Sequence, residues 1–276
     1  AVAVGFALSV SLPQAGSLGG GGFMMVYIAS ENKTIALDFR EKAPILATKT
    51  MFLKPDGSVN HQKSRFSIQS VGVPGAVHGL TSALKQYGSL PLASVINPAI
   101  KLAQNGITVS NALHQSLVSA TQRLTPHPYT GSLFYTKNNP DTRKSTNTTA
   151  APTTNASQPF IPLRIGSTLI QSDLAKTLTQ IKYQGSDAFY NGPIAKKINA
   201  FMRNNNGLIT MNDLKNYQSI HRKPIQSNYR DYTVLSMPPP SSGGIILSQI
   251  LKLIEPFPIK KNLVLCFVKI TFYKPY

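Results

Sequence analysis

Carboxylates are scarce in this sequence. Ten Asp and Glu stand against 28 Lys and Arg in 276 residues, and there is one cysteine and no tryptophan. A lone Cys266 excludes an internal disulfide framework and a cysteine-rich zinc module. No apolar run approaches the ~18 residues a membrane-spanning helix needs, so none is expected. No initiating Met or basic n-region precedes Ala1-Val2-Ala3-Val4, so no signal peptide is visible, and the sequence reads as a piece of something longer. What is present is enough for a packed core: 42% hydrophobic residues exclude a wholly disordered chain. The length suits one large domain or two small ones.

The formal net charge of +18 raises the question of an anionic partner. Nucleic-acid binders gather Lys and Arg on one face or in runs. Here the longest basic runs are pairs: Arg143-Lys144, Lys196-Lys197, Arg222-Lys223 and Lys260-Lys261. The excess comes as much from missing acids as from added bases. A generally basic surface is expected, with no nucleic-acid partner.

Residues 1 to 12 read as the end of a small-residue buried helix, followed by a glycine-rich loop from Gln14 to Gly22. Phe23–Ile28 and Thr34–Phe39 are β-rich runs separated by five residues, the pattern of a hairpin. Hydrophobicity is nearly unbroken in Phe23–Ile28, which predicts a strand covered on both faces within a layered arrangement. Helical patterns then dominate. Asn97-Pro98 fits an N-cap and first helical position, with Asn105-Gly106 as the stop. Ser110 can cap a helix carrying Leu113, Leu117 and Leu124 inward. Ser172 or Asp173 opens another, with Leu174, Leu178 and Ile181 on one stripe, closing near Gly185. Gly192-Pro193 begins a third, with Ile194, Ile198, Phe201 and Met202 inward and Asn206-Gly207 at its end. Thr210 to Asp213 resembles a short capping box. Tyr232–Ser236 reads as a strand, and Ile245–Ile254 as an apolar helix entered through Ser241-Ser-Gly-Gly244.

Two stretches break the pattern. Residues 137 to 159 are almost purely Ser, Thr, Asn and Pro, a composition that predicts a mobile loop. Its two glycosylation sequons, at Asn147 and Asn155, are best read as chance matches in so Asn- and Thr-rich a segment. Residues 259 to 276 lack the cap and stop signals of the preceding helices.

Several chemistries are absent at the level of motif. There is no Gly-x-Ser-x-Gly elbow, no His-Glu-x-x-His and no Walker lysine after the glycines. The five histidines show no ligand spacing, so neither a metal nor another cofactor is expected. Three segments remain. Gly19 to Gly22 either lets backbone approach a ligand or simply threads a tight passage. Asp38-Phe-Arg-Glu41 sets Arg40 at the end of a strand, where its charge needs a partner. A guanidinium fork binds a carboxylate bidentately, so either a free α-carboxylate or a structural ion pair with Asp38, Glu41 or a distant carboxylate would satisfy it. Pro238-Pro-Pro-Ser-Ser-Gly-Gly244 leads into a helix N-terminus and is either an anion site or a rigid capped turn.

Eight segments together carry a resemblance: Pro13–Gly16, Leu18–Phe23, Asp38–Glu41, Gly72–Gly75, Gln171–Ala175, Asp187–Gly192, Gly207–Thr210 and Pro238–Gly244. In this order they resemble the large subunit of the γ-glutamyltranspeptidase (glutathione hydrolase) family, over residues 1 to about 258. That family folds as a layered αββα sandwich of the N-terminal nucleophile hydrolase type, an α+β class. Its precursor cuts itself, and the Thr freed at the start of the small subunit attacks the γ-glutamyl bond of glutathione. Water or an amino acid then takes the γ-glutamyl group. The resemblance implies that Arg40 binds the substrate's α-carboxylate. It also implies glutathione or other γ-glutamyl compounds as ligands, a small subunit as heterodimer partner, and a periplasmic or secreted location.

No catalytic residue is assigned within this sequence, because the nucleophile belongs to the small subunit. The sequence is read as a partial large subunit with a non-family tail over 259–276, suggesting a frameshift or premature stop, and as inactive by itself. Two alternatives stand beside this. One is a cephalosporin- or glutaryl-acylase relative; the other is a non-catalytic basic fragment that binds anions.

Overall fold

In a computed structural model, the structure describes residues 1–15, 17–137 and 159–257. The Ser/Thr/Asn-rich segment, both sequons, Cys266 and the 259–276 tail therefore lie outside the described residues, apart from the edges Lys137 and Pro159. The chain divides into two compact units, Ala1–Leu18 with Tyr87–Ile194, and Gly19–Gln86 with Ala195–Tyr276. Helices and small antiparallel sheets alternate throughout, an α+β arrangement.

In the first unit the helix Leu92–Asn105 packs against both Val2–Ser11 and Ser172–Gln184. Phe6, Val10, Ile96, Ala99, Ala103, Leu178 and Ile181 are buried where they meet. The small residues Ala99 and Ala103 let the helices approach, as ridges entering grooves require. Gln171 joins all three. Its amide N–H donates to the Ala103 carbonyl at 2.9 Å. Its side-chain Nε2 donates to the Val10 carbonyl at 2.8 Å, closing a carbonyl that the end of the first helix leaves open. Val2–Ser11 is buried on one stripe only, since Val4 and Leu8 are exposed.

The expected caps are found where local chemistry decides them. Ser110 Oγ accepts from the Leu113 N–H at 3.1 Å, opening the helix Asn111–Leu124. Gly106 and Gly185 end their helices at φ of 88° and 63°, values that suit glycine. The start at Asn97-Pro98 is corrected: the helix runs from Leu92 and Pro98 sits inside it. Pro98 removes the N–H that would bond the Ser94 carbonyl, but both residues are exposed, so water can take that carbonyl.

In the second unit Phe23–Ile28 and Lys33–Asp38 pair as an antiparallel hairpin in the register Phe23↔Asp38 to Ile28↔Lys33. Ile220–Arg222 adds on the far side of Lys33–Asp38, pairing Asp38 with Ile220 and Ala36 with Arg222. That order reverses the expected burial. Lys33–Asp38 is the central strand, with Ile35 through Asp38 buried, whereas Met25 and Tyr27 of the edge strand are 37% and 43% exposed. Phe39 continues inward, and a Cβ on Gly79 of the helix Ala76–Tyr87 would collide with its ring.

The helix Pro193–Asn204 carries Ile194 and Met202 inward as expected, but Phe201 is 56% exposed and leaves the stripe. Separately, Ile225–Tyr229 and Tyr232–Ser236 form a two-stranded hairpin against which the helix Gly243–Ile254 packs.

Candidate carboxylate-binding site around Arg40

Three of the motifs singled out in the sequence converge within the second unit, on the backbone of one residue. The central strand ends at Asp38, and Phe39 is held by reciprocal bonds to Gly22, N–H to O at 2.9 Å and O from N–H at 3.2 Å. The glycine loop therefore runs alongside Phe39–Glu41. A Cβ at Gly21 would stand 2.5 Å from the Phe39 oxygen and 2.8 Å from the Arg40 Cα, so a side chain there is sterically excluded. Gly20 contributes its carbonyl, which accepts from the amides of Gly75 and Ala76 at 2.9 and 3.0 Å. These bonds satisfy N–H groups at the start of Ala76–Tyr87 that have no partner within that helix. Two residues beyond Arg40, Lys42 exchanges backbone bonds with Val73 at 3.2 and 2.7 Å, which fixes the chain on its other side.

Arg40 itself is tied by main chain alone. Its N–H donates to Asp38 Oδ1 at 3.0 Å, and its carbonyl accepts from the Tyr217 hydroxyl at 2.9 Å. The side chain is exposed and, among the described residues, its guanidinium makes no hydrogen bond or ion pair. The structural ion pair left open by the sequence is thus not made with Asp38, whose second oxygen accepts from Arg222 Nε at 2.8 Å.

Tyr217 and the groups around it were not legible as site residues, since no motif singled out in the sequence contains them. Its ring meets His78 edge to face, with centroids 5.8 Å apart, and Lys42 Nζ lies 5.0 Å from its centroid. Burial first, and then the negative charges of Asp38 and Glu41, push its hydroxyl pKa well up, so it remains a donor through any physiological pH. Burial first, and then the Lys42 charge, push the His78 imidazole pKa below its usual value. Its Nδ1 accepts from the Ser219 N–H at 3.2 Å, which places the ring proton on Nε2. Lys42 Nζ donates to the Gln218 carbonyl at 2.8 Å, tying the segment after Tyr217 to the strand exit.

Pro238–Gly244 forms a turn braced by Ser241. Ser241 donates its N–H to the Pro238 carbonyl at 3.1 Å, and its hydroxyl accepts from Gly243 at 3.3 Å. Gly244 rests against the Met237 carbonyl and the Ser236 side chain, within its own hairpin and helix. Among the described residues no group of three or more His, Cys, Asp or Glu could hold a metal.

The Arg40 surroundings provide an outward guanidinium on a rigid main chain, suited to gripping a planar anion. The fold is of the N-terminal nucleophile hydrolase type, shared with solved transpeptidases and a solved cephalosporin acylase. The chain belongs to the gamma-glutamyltranspeptidase family, whose model matches residues 1–265. It is 44% identical over 262 residues to the glutathione hydrolase proenzyme of Escherichia coli, covering 95% of this chain and 41% of that protein. The crystal structure of the gamma-glutamyltranspeptidase of Helicobacter pylori matches with a TM-score of 0.81 and 41% identity, over 92% of this chain and 67% of that one. The acylase ACY 1 proenzyme of Pseudomonas sp. strain SE83 is 33% identical, over 94% of this chain and 43% of its own length. The chain therefore spans about two-fifths of the curated relatives it matches.

Proposed function

We propose that this chain supplies the substrate-carboxylate site of an enzyme that cleaves the γ-glutamyl bond of glutathione and passes the γ-glutamyl group to water or an amino acid. The observation that carries the reading is the Arg40 guanidinium, exposed and unpaired among the described residues while its main chain is fixed on both sides. A carboxylate meeting it gains two parallel charge-assisted hydrogen bonds, and the fixed main chain lowers the entropy lost on binding. The glutathione hydrolase relatives support the choice of acyl group. In this reading the nucleophilic Thr lies in a small subunit that pairs with the chain, and the chain by itself does not turn over substrate.

The acylase relatives favour a second reading. Glutaryl and γ-glutamyl groups share the carboxylate that Arg40 would hold and differ in the α-amino group, so Arg40 alone serves either. The test is to assemble the chain with a small subunit of the family and compare γ-glutamyl with glutaryl anilides. Faster γ-glutamyl cleavage supports the first reading, glutaryl preference supports the second, and cleavage by the unassembled chain contradicts the placement of the nucleophile.

A further inference from the structure

We propose that Tyr217 is a positioning residue for Arg40: its hydroxyl, admitted by the absent side chain of Gly75, fixes the Arg40 carbonyl and so sets the direction from which the guanidinium meets a carboxylate. The inference rests on reading Arg40 as the carboxylate site, and it gives the Gly72-Val-Pro-Gly75 motif a role there. A long side chain with no partner of its own takes its aim from its backbone. For Arg40 that backbone is held by the Asp38 carboxylate on its N–H, by Gly21 against its Cα, and by Tyr217 on its C=O. Of these, Tyr217 alone comes from far along the chain, 177 positions away. Its hydroxyl occupies the space that a Cβ on Gly75 would fill: such an atom would overlap both Tyr217 Oη and the Phe39 oxygen. Gly75 is meanwhile pinned to Gly20 through its N–H, so the opening is fixed.

The ring contacts of Tyr217 with His78 and Lys42 explain its burial but not its hydroxyl. Tyr217→Phe keeps the first and removes the second. The measurement uses the full chain, with affinities for L-glutamate and for 4-aminobutyrate, the same molecule without its α-carboxylate. The unaltered chain is expected to prefer L-glutamate, and Tyr217→Phe to lower that preference about 3- to 10-fold, the worth of one hydrogen bond, with 4-aminobutyrate unaffected. Arg40→Lys should also lower the preference, and Tyr217→Phe added to Arg40→Lys should lower it no further.

A purely structural role would weaken both ligands alike, or add independently in the double variant, and either result overturns the proposal. A preference that Tyr217→Phe leaves intact overturns the proposal alone. No preference in the unaltered chain contradicts the carboxylate site itself and removes the proposal with it. Should the Phe variant fail to fold, 3-fluorotyrosine at position 217 keeps the ring and makes a stronger donor. A raised preference is then expected, and an unchanged or lowered one contradicts the proposal.

Discussion

Arg222 reaches Asp38 from the neighbouring strand, Nε to Oδ2 at 2.8 Å, and leaves Oδ1 of the same carboxylate to hold the Arg40 amide. One acid thus anchors one arginine and releases the other to solvent. The pairing takes Asp38 away from the Arg40 guanidinium, and Glu41, the adjacent acid, makes no ion pair among the described residues.

Removing the anchor should cost stability. Asp38 is 7% exposed at its side chain and Arg222 33%. Arg222→Met leaves the carboxylate buried with one partner fewer, at a cost of about 1–3 kcal/mol once partial solvent screening is allowed for. A urea melt of the chain reads this directly, and an unchanged midpoint contradicts the role given to the pair.

Asp213 should give the chain a sensitivity to acid. Burial raises its carboxyl pKa, but hydrogen bonds from the Thr210 hydroxyl, the Ile45 amide and the Thr210 amide outweigh this and hold it below the usual carboxylate range. A depressed folded value means that the associated stability is complete above the unfolded pKa of about 3.9 and is lost as pH falls through the folded one. Asp213→Asn is expected to be less stable at pH 7 by about 1–2 kcal/mol and to lose less on acidification. Parallel loss in both proteins below pH 4 contradicts the assignment.

Two glycine substitutions should differ in kind. Gly75→Ala puts a methyl group into Tyr217 and the Phe39 oxygen, where neither neighbour can yield cheaply, and about 2–4 kcal/mol is expected. Gly57 has φ of 80° with nothing within 4 Å of an added Cβ, so Gly57→Ala pays only the backbone term, about 1 kcal/mol. Equal losses in thermal melts would contradict the close approach at Gly75.

What could be read from the sequence follows the range of the interactions. Ser110, Gly106, Gly185 and the Thr210–Asp213 box were legible because a cap is decided within about four residues. The Phe23–Asp38 hairpin was legible from its own connection. Which of its strands lies in the middle was not, because that depends on Ile220–Arg222, a strand with no marked pattern of its own. Pro98 misled because the signal for a helix start is the same as that for a tolerated proline on an exposed face. Arg40 was visible through its motif and through the chemistry of its fork. Tyr217 and Arg222 were not, since their bonds to that segment cross 177 and 184 positions.

The central claim, that Arg40 receives the γ-glutamyl α-carboxylate, is tested most directly by Arg40→Lys in the chain assembled with a family small subunit. Kinetics on a γ-glutamyl anilide should show kcat/KM reduced about 10- to 100-fold, because Lys keeps the charge but loses the two-pronged grip, while the melting temperature stays unchanged. An unchanged kcat/KM in a fully assembled variant would contradict the account.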